Sequence, residues 1–199
     1  MFLIHKSRIL YILSCKLWSV EVYLKPIWSD FAKMIIRKAV IGELDTLMSL
    51  FEKAKGIMRA SGNTRQWGCS YPSAEVVAKD ILSQVCYVAC DDVTGEIIAT
   101  MALIPGPDPT YSSIYDGSWP DDGCYYVIHR IAAAEPGRGV AVKMLDFAFS
   151  LSPVIRVDTH RDNCIMHHLL CKYGFSFCGV IHLANGDPRD AYSMTKQQF

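Results

Sequence analysis

No apolar stretch in this 199-residue chain approaches the roughly 20 residues that a helix needs to cross a bilayer, although mean hydropathy is slightly positive at +0.16. A membrane-spanning protein is therefore not expected. Net charge is missing too, since twenty Lys and Arg balance twenty Asp and Glu. Without a bulk field of one sign, nucleic acid and anionic lipid are not expected partners. Cysteine pairs at CxxC spacing are absent among the eight cysteines, which mostly lie in apolar segments. That excludes the usual zinc-finger ligand pairs and argues against a disulfide framework, so buried free thiols in a reducing, cytoplasmic compartment are expected. Internal repeats and low-complexity tracts are absent as well. So are the GxxxxGK[ST] phosphate loop and the GxGxxG dinucleotide fingerprint.

What remains is a chain with 51% apolar and 20% charged residues, enough for one packed α/β domain. Its first 33 residues stand apart. Lys6 and Arg8 precede a short apolar stretch, Ile9 to Cys15, interrupted by Lys16, without a clear small-residue cleavage site. Residues 1–33 are expected to be a non-native start or a dispensable arm, and 34–199 the working domain. That domain carries fifteen basic against eighteen acidic residues.

Periodicity divides the domain. Ile35 to Ala39 reads as a strand, and Leu44, Leu47, Met48, Phe51 and Ala54 recur at helical spacing. Ser73 is placed to cap a second helix, with Glu75 in its first turn. Val85–Cys90 and Glu96–Ile104 flank a turn-rich "DDVTG" and predict a hairpin. Four prolines between Pro105 and Asp122 preclude long regular structure there. Then follow a strand ("CYYVIHRIAAA"), a tight turn ("EPGRG"), a helix, a strand ("PVIRVDT"), a helix ending at Gly174, and a last hairpin. The predicted order is β-α-α-β-β-β-α-β-α-β-β, a mixed sheet of about seven strands flanked by about four helices.

Two strand-to-helix turns carry candidate chemistry. In Gly137-Arg138-Gly139-Val140-Ala141 the glycines free the backbone to aim successive N–H groups at an anion, where the helix dipole also favours negative charge; a purely structural turn is the alternative. In "VIRVDTHRDN" a strand ends at Asp158 and a helix opens at Asn163, which can face the same crevice or serve only as a cap. "HRIAAAEPGRGVA", together with "DN" and the following "LLCKYGF", resembles the GNAT acetyltransferase family over residues 34–199.

The resemblance implies a sheet splayed at its central strands and acetyl-coenzyme A as co-substrate, with no metal. It implies that amides of Gly137, Arg138, Gly139, Val140 and Ala141 hold the pyrophosphate, and that His129, Arg130, Ile131 and Asn163 contact the pantetheine arm. Two departures are visible: Pro136 replaces a usual Gln or Arg, and Leu170 stands where many members carry a Tyr that protonates the leaving thiolate. Tyr173, one turn on, is not equivalent.

The base is sought in His129, whose neutral imidazole suits proton transfer near pH 7, and in Asp158, which matches the catalytic Glu of relatives that acetylate peptide N-termini. A satisfied core histidine and a turn-capping carboxylate are the bland alternatives. Gln66, Trp67, Tyr71 and Trp119, on two long loops, are candidates for binding the acceptor, a primary amine of a small molecule or a peptide. His160, His167 and His168 cluster in sequence, but adjacent helical positions splay apart and no metal site is expected. A non-catalytic coenzyme A-binding or regulatory module is the rival reading, and homodimerisation is left open.

Overall fold

The computed structural model describes residues 34–196 other than 69 and 136, so the expected extension 1–33, together with Pro136, lies outside the described residues. The predicted order of elements is the observed one: β1 (Met34–Lys38), α1 (Leu44–Ala60), α2 (Ala74–Leu82), β2 (Cys86–Asp91), β3 (Ile97–Pro105), β4 (Tyr126–Ala133), α3 (Val140–Leu151), β5 (Val154–Thr159), α4 (Cys164–Tyr173), β6 (Ser176–His182) and β7 (Pro188–Thr195). Each helix obeys its pattern. In α1, Leu47, Leu50, Phe51 and Ala54 fall on one stripe and are buried, each large side chain contributing about 1.5–3 kcal/mol of hydrophobic stabilisation. Ser73 caps α2 by accepting the Val76 amide, as expected.

The strands join in one seven-stranded sheet, ordered β1-β2-β3-β4-β5-β7-β6. β1 to β4 are antiparallel neighbours, β2 and β3 joined by a short turn, β1 and β2 by way of both α1 and α2, and β3 and β4 by the proline-rich segment, whereas the α3 crossover sets β5 parallel to β4. The last hairpin folds back so that β7 lies between β5 and β6. Helices α3 and α4 cover one face with a core that includes Met101, Ile128, Met144, Leu145, Ile155 and Leu170. On the opposite face α1 and α2 bury Leu47, Phe51, Val77, Ile81 and Val88.

The proline-rich segment 105–125 covers the rest of that second face. Its regular structure is confined to a three-residue 3-10 turn, Pro109–Tyr111, capped by Asp108. Tyr111 is 1% exposed and packs with Val127, Ile181 and Ala191. The segment is fastened to β6 by reciprocal backbone bonds between Tyr115 and Val180, at 2.8 and 2.7 Å. Close approach demands glycine here, because a Cβ on Gly117 would collide with the Cys178 carbonyl.

One expectation needs correction. Cys86, Cys90 and Cys178 are buried free thiols, but Cys124, Cys164 and Cys171 are exposed. Cys164 and Cys171, two turns apart on α4, share a solvent-facing stripe that the apolar neighbours in the sequence conceal. Among the described residues, no helix is long and apolar enough to cross a membrane.

Candidate active site

The β4–β5 ladder is short. Tyr126, Val127 and Ile128 pair with Ile155, Arg156 and Val157, and there the pairing stops. Beyond it β4 is deformed by a bulge opposite Met101: Thr100 faces Ala132 while Ala102 faces His129, so β4 has one extra residue. Arg130 takes up the distortion with φ +52, a left-handed conformation unusual outside glycine. What holds it there is its own side chain. Its guanidinium donates to both Asp80 carboxylate oxygens, at 2.7 and 3.0 Å, and to the Tyr71 hydroxyl at 2.8 Å. Both partners of the ion pair are about nine-tenths buried, with side-chain exposures of 10% and 11%. A fork so placed has a fixed direction, which is what Arg supplies and Lys does not.

A cleft of about 640 Å³ opens beside the bulge, within the range of small-molecule sites. Its walls are α1 at Ile57 and Met58, β4 at Ile131 to Ala133, and α4 at Ile165, Met166 and Leu169; Trp67 also lines it. The Gly137–Val142 segment forms one end of it. There both Gly137 (φ +82) and Gly139 (φ +70) are left-handed, and Gly139 caps α3 without any side-chain cap. The first amide to close an intrahelical bond is that of Lys143, to Gly139. Among the described residues the preceding amides of the first turn have no backbone acceptor, which leaves them to an anion at the positive end of the dipole.

Next to the cleft, on the face covered by segment 105–125, His129 lies between two carboxylates. Its Nε2 is 2.9 Å from Asp108 Oδ2, and its Nδ1 is 3.8 Å from Asp158 Oδ1. Asp158 Oδ1 accepts the Tyr111 hydroxyl at 2.7 Å. Asp108 Oδ1 accepts both the amide and the hydroxyl of Thr110, at 2.8 and 2.5 Å. Burial raises the Asp108 carboxyl, but the bonds from His129 and Thr110 outweigh it and hold the pKa at about 2. Tyr111, fully enclosed and facing Asp158, has its pKa pushed up by burial and then by that carboxylate, so it is a neutral donor.

The aromatic surroundings are rigid. Trp119 stacks on Tyr111 at 5.4 Å and donates its indole N–H to the Tyr111 carbonyl. The Arg156 guanidinium lies 4.2 Å from the Trp119 ring and 3.9 Å from that of Tyr125.

No protein-family model matches the sequence, and a search of curated proteins finds no match. Solved structures do match. The chain is similar to a GNAT-family acetyltransferase from Streptococcus agalactiae, at 33% identity and a TM-score of 0.75, over 84% of this chain and 98% of that one. The chain belongs to the GNAT acetyltransferase family. More distant neighbours share the fold: the Drosophila melanogaster polyamine N-acetyltransferase, which forms N-acetylagmatine (13% identity, TM-score 0.56, 82% and 100% coverage), and the NatC complex bound to Gag peptide and coenzyme A (14%, 0.53, 83% and 99%).

For a GNAT protein the placement of the sequence candidates is informative. Gly137, Arg138, Gly139, Val140, Ala141, Asn163, Ile131 and Trp67 all line the cleft. Asn163 both caps α4 through the Met166 amide and donates to Gln66 Oε1 at 2.7 Å. Gln66 is thereby a brace between the first long loop and α4, also accepting from Thr159. His129 and Asp158 approach one another to 3.8 Å, but neither lines the cleft, and Gln66 and the Arg130, Tyr71 and Trp119 side chains, engaged within the protein, do not line it either. Leu170, where GNAT members commonly carry Tyr, is 0% exposed in the α3–α4 core. Tyr173 does line the cleft, but its hydroxyl donates to Asp146 at 2.6 Å and accepts from Lys196 at 2.5 Å, and burial followed by the Asp146 bond raises its pKa. His167 turns to Tyr192 and the His160 carbonyl, while His168 lines the cleft.

Asp108 escapes the sequence reading; Tyr111 is legible there only as one of the aromatic residues of the second long loop, not as a partner of Asp158. The available signal was Asp-Pro-Thr, a turn-capping pattern within the proline-rich stretch, but nothing in it points to a histidine 21 residues on.

Proposed function

We propose that this chain transfers an acetyl group from acetyl-coenzyme A to a primary amine of a small molecule or peptide, with His129 as base and Asp158 at the reaction centre. The observation that carries the reading is His129 held between two carboxylates, two residues before Ile131 of the cleft wall, where β4 and β5 part. The cleft residues fit the co-substrate. The first-turn amides of α3 and the left-handed glycine pair suit its pyrophosphate, and Ile131, Met166 and Leu169 suit its arm. Bound there, acetyl-coenzyme A supplies an acyl group on a thioester.

The protein's own work is proton management and positioning. An amine arrives mostly as ammonium. His129 takes one N–H proton, and the bond pair stays on nitrogen as the attacking lone pair. As the C–N bond forms and the C–S bond breaks, the nitrogen sheds a second proton, which the departing thiolate accepts; the proton on His129 returns to solvent. A backbone N–H at the β4 bulge serves the developing oxyanion. Two carboxylates that among the described residues meet no cation other than His129 favour a positively charged acceptor.

The rival, a coenzyme A-binding module without turnover, draws on Leu170 and on the engaged Tyr173 hydroxyl. Thiol release separates the two. With polyamines, amino acids, aminoglycosides and N-terminal peptides as acceptors, at least one should accelerate release from acetyl-coenzyme A far above hydrolysis, and His129→Ala should abolish that acceleration. Coenzyme A binding without acceleration by any acceptor favours the rival.

A further inference from the structure

Among the described residues, the His129 ring is hydrogen-bonded on only one side. Asp108 Oδ2 meets Nε2 at 2.9 Å, while its other oxygen is saturated by the two Thr110 bonds, so this carboxylate is an acceptor with nothing to donate. The shared proton therefore belongs to Nε2. In the neutral ring Nδ1 then carries the lone pair, and it faces Asp158 Oδ1 at 3.8 Å, too far for a hydrogen bond. Oδ1 is itself an acceptor, occupied by the Tyr111 hydroxyl. Two acceptors face one another with no proton between them. A donor nitrogen lying about 2.9 Å from each of two atoms so spaced completes the arrangement.

We infer that Asp108 is a positioning residue that fixes His129 as its Nε2–H tautomer, leaving Nδ1 and the Asp158 carboxylate as a paired slot for the substrate's ammonium group. This rests on the acetyl-transfer reading and names the atom that accepts the proton. One ammonium N–H points to Nδ1 and another to Asp158. When the N–H bond toward the ring breaks, its pair remains on the amine nitrogen and the proton becomes Nδ1–H. The resulting imidazolium is flanked by Asp108 on one side and Asp158 on the other. Both carboxylates are held by segment 105–125, Asp108 as part of it and Asp158 through Tyr111, so a single loop sets both halves of the slot.

The groups facing His129 are Asp108 and Tyr111 from that segment and Asp158 from β5. Tyr125 acts through the Asp108 amide, which donates to its hydroxyl at 3.1 Å. On its own strand, Arg130 is committed to Asp80. Removing the Asp108 charge takes away the acceptor that fixes the proton on Nε2. It thereby frees the ring to adopt the other tautomer, with a proton on Nδ1 where the lone pair is needed.

The test is long-range ¹H–¹⁵N spectroscopy of the full chain with ¹⁵N-labelled histidine, assigned among six histidines by His129→Gln. This readout needs no known acceptor. Above its titration, His129 should show a protonated Nε2 and a bare Nδ1, and a proton on Nδ1 in the native protein overturns the inference. Asp108→Asn keeps an oxygen for the Thr110 amide and so preserves the turn cap. It should give mixed tautomers and at least tenfold lower kcat, with coenzyme A affinity within twofold of wild type. A variant with native tautomer and kcat also overturns it. The parent reading fails separately: normal turnover by His129→Ala removes the base altogether, whereas an inactive His129→Ala with Nδ1–H in the native protein sinks only the role of Asp108.

Discussion

Arg130 offers a sharp perturbation because it joins a strained backbone to a buried charge. Arg130→Ala leaves the Asp80 carboxylate, in a residue only 8% exposed, without its bidentate partner, and takes a donor from Tyr71. Breaking a buried ion pair by removing one member costs about 3–5 kcal/mol, and the slight exposure of this pair puts it at the lower end, about 3 kcal/mol. The alanine keeps the unfavourable positive φ, so no strain is relieved. In a domain of this size 1 kcal/mol corresponds to about 2–4 °C, and the melting temperature should fall by about 6–12 °C. Arg130→Gly, at ease at φ +52, should recover about 1 kcal/mol of this loss. Pairing Arg130→Ala with Asp80→Asn removes the orphaned charge, so the double variant should be more stable than Arg130→Ala alone. Thermal melts by circular dichroism measure all three, and calorimetry with coenzyme A should show weaker binding as the bulge beside the cleft relaxes. A melting temperature for Arg130→Ala within 2 °C of wild type, or strictly additive losses in the double variant, would refute the argument that this pair holds the bulge.

Other outcomes follow from the same geometry. Gly139→Val forces a β-branched residue into the left-handed region, costing at least about 1–2 kcal/mol, and crowds the first-turn amides; coenzyme A affinity measured by calorimetry should drop at least tenfold in a chain that still folds, and unchanged affinity would displace the pyrophosphate from this loop. His129→Ala and Asp158→Asn should each reduce kcat sharply, with the double variant little worse than the poorer single one, since both serve the same proton transfer; additive losses would mean independent roles. The Asp108 pKa, about 2 against an ordinary 3.8, is depressed by folding, so its stabilisation is present above pH 4 and is lost as pH falls through 2. That amounts to about 2 kcal/mol over the window. Acid unfolding followed by fluorescence should therefore depend less steeply on pH between 4 and 2 in Asp108→Asn, and an unaltered slope would count against the bond network.

The sequence by itself determined the succession of elements, the glycine turn ahead of α3, the Asn163 cap and the approach of His129 to Asp158. These are local matters. A period of two or 3.6 residues, a cap side chain or a strand-to-helix turn is written within a few neighbouring positions, and two strands joined by one helical crossover place their carboxyl ends side by side. Only the tertiary structure decided the rest. Asp108 and Tyr111 lie in a proline-rich segment without periodicity, and their partners are 21 and 47 residues distant. The bulge at Arg130 depends on Asp80 and Tyr71, 50 and 59 residues back, because a left-handed arginine persists only where buried partners hold it in place. The exposed thiols of α4 likewise depend on which side of that helix found a sheet to cover it. Side-chain chemistry fixes what each group can accept or donate, but the partner it meets is set by long-range packing that no short window of the chain contains.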